Sequence, residues 1–129
     1  MSYLEEEIDE TLNTFKIQHE KLQAKELAAL INSITKKFFT SQSDILDPNK
    51  LIEKHTEYNP NFWKEIPERI TKKGLTLLVF DTAYRAWKLR SAQELALIIS
   101  ETTGYPFWVT DHELTFLVHL DDHDCVLWA

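Results

Sequence analysis

The side chains best suited to chemistry lie close together near the C-terminus, in the segment LDDHDC at residues 120–125. It holds three carboxylates, one imidazole and the single cysteine of the chain. On a strand over 115–120, alternation turns His119 away from its apolar neighbours and towards a turn residue such as Asp121 or His123. Imidazole and carboxylate ligands together suit zinc or manganese. His119, Asp121 and His123 are therefore weak candidates for a metal site, and no cofactor is predicted.

The same segment is also typical of a polar turn between two strands. Asp and His are compatible with turns, since short polar side chains satisfy local backbone groups. The spacing matches neither a helical H-E-x-x-H site nor an EF-hand loop. Cys125 would be a small buried hydrophobe, and its acidic surroundings disfavour the thiolate that a nucleophile needs. The turn is the favoured interpretation, a metal site and a charged recognition loop are the alternatives, and no catalytic residue is predicted.

Charge falls into three blocks along the 129-residue chain, whose net charge is −7. Residues 1–15 hold five acids and no base, and residues 16–90 hold nine acids with all fourteen Lys and Arg. Residues 91–129 hold seven acids and no base. An acidic C-terminal third disfavours contact with a phosphate backbone and favours a basic partner or a cation.

Nucleic acid and membrane partners are both disfavoured. The stretch YRAWKLR at 84–90 interleaves basic and aromatic residues, as single-strand binding surfaces do, but the pI is near 5.2. An edge strand protected by Lys and Arg is the favoured interpretation of that stretch. No apolar run approaches the roughly 20 residues of a membrane span. A single cysteine and an acidic N-terminus unlike a signal peptide predict a cytoplasmic protein.

Two apolar stripes with helical spacing occupy residues 4–15 and 22–38, and Ser2 is a candidate cap for the first. Neither glycine nor proline separates the stripes. The pattern therefore allows one continuous helix of about 35 residues or a helical hairpin turning near 18–23. The first stripe, with its acidic outer face, could also form a homodimer contact.

Proline and glycine mark the other boundaries of the helical half. Asp47-Pro48 and Asn59-Pro60 each place a capping residue before a proline, which predicts two further helix starts. Pro67 is expected to interrupt the second of these helices, and Gly74 is expected to follow a helix terminus.

After Gly74 the residue pattern changes from helical spacing to that of short strands. Residues 75–80 and 83–89 predict two strands that turn at Asp81-Thr82, and Ser91 caps a helix that ends by Gly104. Three further strands are predicted at 106–110, 115–120 and 125–128. The order of helices followed by β-β-α-β-β-β indicates an α+β fold, with helices on one face of a small antiparallel sheet. We expect a single domain over 1–129, with a helical part at 1–73 and a sheet part at 74–129.

Trp108 has two possible environments. If Phe107 and Val109 face the core, alternation exposes Trp108 on the outer sheet face, where it could anchor a partner. If both faces of the sheet are covered, Trp108 is buried.

These observations predict a non-enzymatic, acidic protein-binding module. Small acidic inhibitors and immunity-like proteins that neutralise a cationic toxin or nuclease share this charge and size. The predicted docking surface for a basic protein partner consists of Trp108, Asp111, Glu113, Asp121, Asp122 and Asp124. The alternative is a metal- or ligand-dependent enzyme that uses His119, His123 and the neighbouring aspartates.

Overall fold

A computed structural model describes residues 3–52, 55–102 and 104–129, whose strands form one seven-stranded antiparallel sheet. The α-helices of these residues are α1 (Tyr3–Thr14), α2 (Ala24–Phe38), α3 (Phe62–Arg69) and α4 (Ala92–Glu101). The strands are β1 (His19–Lys21), β2 (His55–Tyr58), β3 (Leu75–Asp81), β4 (Ala83–Leu89), β5 (Phe107–Asp111), β6 (Leu117–Leu120) and β7 (Cys125–Trp128). Their order across the sheet is β1-β4-β3-β5-β6-β7-β2. The predicted α+β class is confirmed.

Both faces of the sheet are buried. α1, α3 and α4 pack on one face, against side chains that include Leu77 and Val109. α2 and the segment 39–51 pack on the opposite face, against side chains that include Leu78 and Trp108. The expectation of helices on one face is therefore wrong. In β3 and β5 buried residues occupy consecutive positions, because both sides of these strands are covered.

The first 38 residues form neither one continuous helix nor a helical hairpin, because β1 lies between α1 and α2. α1 ends in a Schellman-type turn, in which the Ile17 N–H donates to the Leu12 carbonyl at 2.9 Å. Lys16 occupies the left-handed position of this turn, with φ of 54°. Glycine is the usual residue there, so the sequence contained no stop signal. The predicted cap, Ser2, lies outside the described residues.

Two strands of the sheet come from the half that was predicted to be helical. β1 pairs with β4, and β2 pairs with β7, so these short strands form the two edges of the sheet. The division into a helical part (1–73) and a sheet part (74–129) is wrong for this reason. The strand sequences HEK and HTEY have no apolar alternation, because edge strands bury little surface and pair through the backbone.

The elements predicted after Gly74 are present. β3 and β4 form a hairpin with Thr82 at its tip in the left-handed region, at φ of 59°. The Ser91 hydroxyl accepts a hydrogen bond from the Glu94 N–H at 3.2 Å and caps α4, as the capping pattern predicts. Strands β5, β6 and β7 follow in the predicted order.

The proline and glycine signals had mixed outcomes. The first proline opens only a single 3₁₀ turn, Pro48–Lys50, and α3 begins at Phe62 with Asn61 as its N-cap, two residues after the predicted cap, Asn59. Pro67 lies inside α3 and does not interrupt it. Gly74 does not follow a helix terminus, since α3 ends at Arg69. It lies at the start of β3 under the His112 ring, where a Cβ atom would overlap that ring.

The apolar stripe of α1 is used within the chain. Ile8 and Leu12 are completely buried between α1, the sheet and α4, whereas Phe15, which follows the helix, is exposed, and the homodimer contact stays a prediction. Among the described residues, none of the helices combines the length and apolar character needed to cross a bilayer.

Candidate functional site

The predicted acidic surface is divided between two turns at opposite ends of β6. Residues 112–116 connect β5 to β6, and residues 121–124 connect β6 to β7. Because β6 is extended, these turns emerge at opposite ends of the strands. Asp111 and Glu113 therefore belong to one end of the sheet, and the three later aspartates belong to the other. The five carboxylates do not form one surface.

Asp111 is a structural residue of the first turn. It is 2% exposed, and its carboxylate accepts hydrogen bonds from the Thr115 N–H at 2.6 Å and the Thr115 hydroxyl at 2.5 Å. Burial by itself raises the pKa of Asp111, but the hydrogen bonds from Thr115 outweigh it and hold the pKa below its ordinary value. A carboxylate enclosed in this way is not available to a partner, so its assignment to the docking surface is wrong.

Trp108 is also buried, at 5% exposure. Its ring packs against Phe39, with 5.7 Å between ring centroids, and against His119, with 4.2 Å. The second environment considered for this residue is therefore the correct one, because α2 and the segment 39–51 cover this face of the sheet. Trp108 cannot act as an exposed anchor.

The candidate metal ligands do not meet. His119 is 6% exposed beneath Trp108, whereas the side chain of His123 is exposed to solvent. Burial lowers the pKa of His119 to about 4, although the charge of Asp121 acts in the opposite direction. The Nδ1 atom of His119 is buried without a hydrogen-bond partner. Within residues 3–52, 55–102 and 104–129, no three His, Cys, Asp or Glu side chains are grouped so that they could hold a metal ion.

The segment 121–124 is a turn, as the favoured interpretation predicts. The Asp121 carboxylate accepts hydrogen bonds from the His123 N–H at 2.8 Å and the Cys125 N–H at 2.9 Å. Asp124 completes the turn in the left-handed region, at φ of 64°. Cys125 is half-buried, which is less than the core position that was expected. Asp122 projects into solvent with 64% of its side chain exposed, and it lies 3.6 Å from the His123 ring.

This turn borders an open cavity of about 390 Å³, which we call the acidic cleft. The residues that line it include Trp63, Tyr105, Asp121, Asp122 and Asp124. The Tyr105 hydroxyl is 2.8 Å from the Thr102 hydroxyl, and burial raises the pKa of Tyr105 to about 12. With Phe107, three aromatic residues and three aspartates therefore line one concave surface.

Sequence reasoning missed two of the three aromatic residues of the acidic cleft, Trp63 and Tyr105. Trp63 lies on α3 and Tyr105 lies between α4 and β5, which are separated in sequence from the turn. They line the same cavity as the turn, and α3 packs against α4, an arrangement that the sequence pattern did not indicate.

A larger cavity of about 810 Å³ lies between α2 and β4, and we call it the edge groove. Its lining combines apolar residues of α2, the polar segment Gln42, Ser43 and Asp44, and the charged residues Glu5, Lys21 and Arg85. The basic-aromatic stretch at 84–90 belongs to β4, which is paired with β3 along its whole length and with β1 at its C-terminal end. Its interpretation as an edge strand therefore holds only for its N-terminal residues. Trp87 is completely buried, so it cannot stack on the bases of a nucleic acid.

Comparisons with protein-family models, with curated proteins and with solved structures found no match. The functional conclusions below therefore depend on the geometry of the acidic cleft and the edge groove.

Proposed function

We propose that the protein is a non-enzymatic binding module that docks a basic segment of a protein partner in the acidic cleft. The observation that carries this proposal is the position of Asp122 and Asp124 beside Trp63 and Tyr105 on one concave surface. Asp121 keeps its backbone hydrogen bonds and holds the turn in place. Among the described residues that line the cleft there is no Lys or Arg.

The chemistry of the acidic cleft suits a lysine or arginine side chain. Carboxylates attract the charged end, and aromatic faces contact the methylene stem or the cation itself. The Lys64 ammonium lies 5.3 Å from the centroid of the Trp63 ring, although Lys64 does not line the cleft. A volume of about 390 Å³ is at the lower end of the range for ligand pockets, enough for one or two long side chains.

The charge of the whole chain supports the same type of partner. A net charge of −7 favours encounter with a basic protein and makes the association rate sensitive to salt. In one form of this proposal, the protein is an inhibitor or immunity-like protein that neutralises its basic partner. A reducing compartment such as the cytoplasm is also part of it, because the single thiol, Cys125, cannot form an internal disulfide.

The test measures binding of a fluorescent hexa-arginine peptide by anisotropy at about 50 mM and about 200 mM salt. The variant carries Asp122→Asn and Asp124→Asn, and Asp121 is retained because it holds the turn. We expect the variant to bind at least about tenfold more weakly than the wild type at low salt, with the loss smaller at high salt.

A matched control carries Glu10→Gln and Glu113→Gln, two exposed acids that do not line the acidic cleft. It removes the same charge and should weaken binding by less than about threefold. Equal losses in the two double variants would mean that the peptide responds only to net charge, and the proposal would then be wrong. Absence of binding by the wild type at low salt would contradict it as well.

A further inference from the structure

The edge groove contains a segment of sheet edge that has no neighbouring strand. β1 pairs with β4 at three positions, from His19↔Leu89 to Lys21↔Trp87. The Leu22 N–H then donates to the Ala86 carbonyl at 2.9 Å, and the chain leaves the sheet to begin α2. On this side of β4, no strand among the described residues lies beside residues 83–85.

The backbone of Tyr84 points into the edge groove. In a β-strand the carbonyl direction alternates, so residues 84 and 86 present their backbone groups to the same side. The Ala86 carbonyl is directed towards β1, as its bond from Leu22 shows. The N–H and C=O of Tyr84 are therefore directed towards the line that β1 would occupy if it were longer. Unpaired edges of this kind are sites at which another strand can add to a sheet.

The edge groove has two chemically different walls. The wall formed by α2 is largely apolar, through Leu27, Ile31 and the methyl group of Ala28, with Asn32 as a polar member. The opposite wall carries the charged side chains of Glu5 and Arg85. A strand that continued the line of β1 would direct alternate side chains to these two walls.

Arg85 is incompletely paired on the charged wall. Its Nε atom is buried without a hydrogen-bond partner and lies 3.5 Å from a carboxylate oxygen of Glu5. Lys21, by contrast, makes ion pairs of 2.7 Å with both Glu5 and Asp9. A guanidinium has five N–H donors, so Arg85 retains capacity for a further acceptor.

We propose that the edge groove binds an extended segment of a partner protein, which pairs with the free edge of β4. The segment places apolar side chains against α2 and an acidic side chain between them against Arg85. The occupant is an extended peptide because the groove offers backbone groups as well as apolar surface, and a lipid or other hydrocarbon ligand would leave those groups unpaired. This site shares no lining residue with the acidic cleft, so each proposal can be tested independently of the other.

The test uses synthetic peptides of alternating pattern, Thr-Val-Glu-Val-Thr and versions with Ile, Leu or Phe at the two apolar positions. Binding is followed by amide chemical shifts in two-dimensional NMR. We expect shifts at Tyr84, Ala86 and Leu27, and a dissociation constant below about 1 mM for at least one peptide. A peptide with Lys in place of Glu should bind at least about tenfold more weakly to the wild type. In the Arg85→Gln variant, the dissociation constants of the Lys and Glu peptides should differ by less than about threefold.

Two alanines of α2 provide a matched pair of variants. Ala28 lines the edge groove and Ala29 does not, and both are exposed. Ala28→Phe should fill the groove and weaken binding at least about tenfold, whereas Ala29→Phe should change it less than about threefold. Neither substitution enters the core, so both proteins should fold.

Three outcomes would overturn the proposal. The first is that no peptide of the set binds at about 1 mM, and the second is that Ala28→Phe and Ala29→Phe have equal effects. The third is a concentration-dependent dimer in sedimentation experiments that Ala28→Phe abolishes and the peptides displace, because the occupant would then be a second copy of this chain.

Discussion

The two turns that flank β6 use the same local device but end in different environments. In each, an aspartate carboxylate at the start accepts a backbone N–H four residues later, from Thr115 to Asp111 and from Cys125 to Asp121. Each also contains one residue in the left-handed region, Leu114 in the first turn and Asp124 in the second. The first turn, however, encloses its aspartate, whereas the second exposes its acidic residues along the acidic cleft.

This difference shows that an acidic turn is not by itself a surface. Leu114 of the first turn packs against the core beneath α2, and Asp111 lies below it. The second turn lines an open cavity together with Trp63 of α3 and Tyr105. Burial converts an aspartate into a structural acceptor, and exposure leaves it free for a partner. The neighbouring elements therefore decide which role each carboxylate has.

The strand between the turns should give the largest effect, through the titration of His119. The pKa of this ring is about 4 in the folded protein, against about 6.5 in an unfolded chain. The unfolded state therefore binds more protons between these values, and the free energy of unfolding falls as the pH is lowered through this window. Between pH 7 and pH 4.5, the free energy of unfolding should fall by about 2.5 kcal/mol less in His119→Leu than in the wild type. Urea unfolding at the two pH values measures this difference. An unchanged difference in the variant would show that other groups cause the acid sensitivity.

Asp111→Ala should lower the free energy of unfolding more than Asp121→Ala does. The change leaves the Thr115 N–H and hydroxyl without their acceptor, the buried Asp111 carboxylate, at a cost of about 2 kcal/mol. Chemical denaturation at pH 7 measures this loss. Asp122→Ala is the control, and it should change the free energy of unfolding by less than about 0.5 kcal/mol, because that side chain is exposed.

Asp121→Ala should cost less, about 1 kcal/mol, since water can reach the amides of His123 and Cys125 at the second turn. The comparison of the two turns therefore predicts that the wild type is the most stable protein, Asp121→Ala is less stable, and Asp111→Ala is the least stable. A loss for Asp121→Ala equal to or greater than that for Asp111→Ala would remove the distinction between a buried and a more exposed aspartate.

The smallest effect concerns the left-handed residues. Asp124→Gly should stabilise the protein by about 0.5 kcal/mol, because glycine adopts φ of 64° without strain. Leu114→Gly should instead destabilise it, since the relief of strain is smaller than the loss of apolar packing. Melting temperatures of the two variants provide the measurement, and stabilisation by both would indicate that Leu114 contributes little packing.

The sequence determined the strands and turns of the second half because the signals there are local. The hairpin at Thr82, the Ser91 cap and the turn at 121–124 each depend on residues within four positions of one another. The α+β class followed from the order of these elements. For the same reason, the favoured interpretation of LDDHDC as a turn was available without any knowledge of the fold.

The tertiary structure decided everything that depends on what covers a strand or borders a turn. β1 and β2 have no apolar pattern and join the sheet only because an edge was available to each. The burial of Trp108 depends on α2 lying across the opposite face of the sheet. The acidic cleft and the edge groove likewise lie between elements that are distant in the sequence, and hydrophobic periodicity identifies an apolar face without specifying which element packs against it.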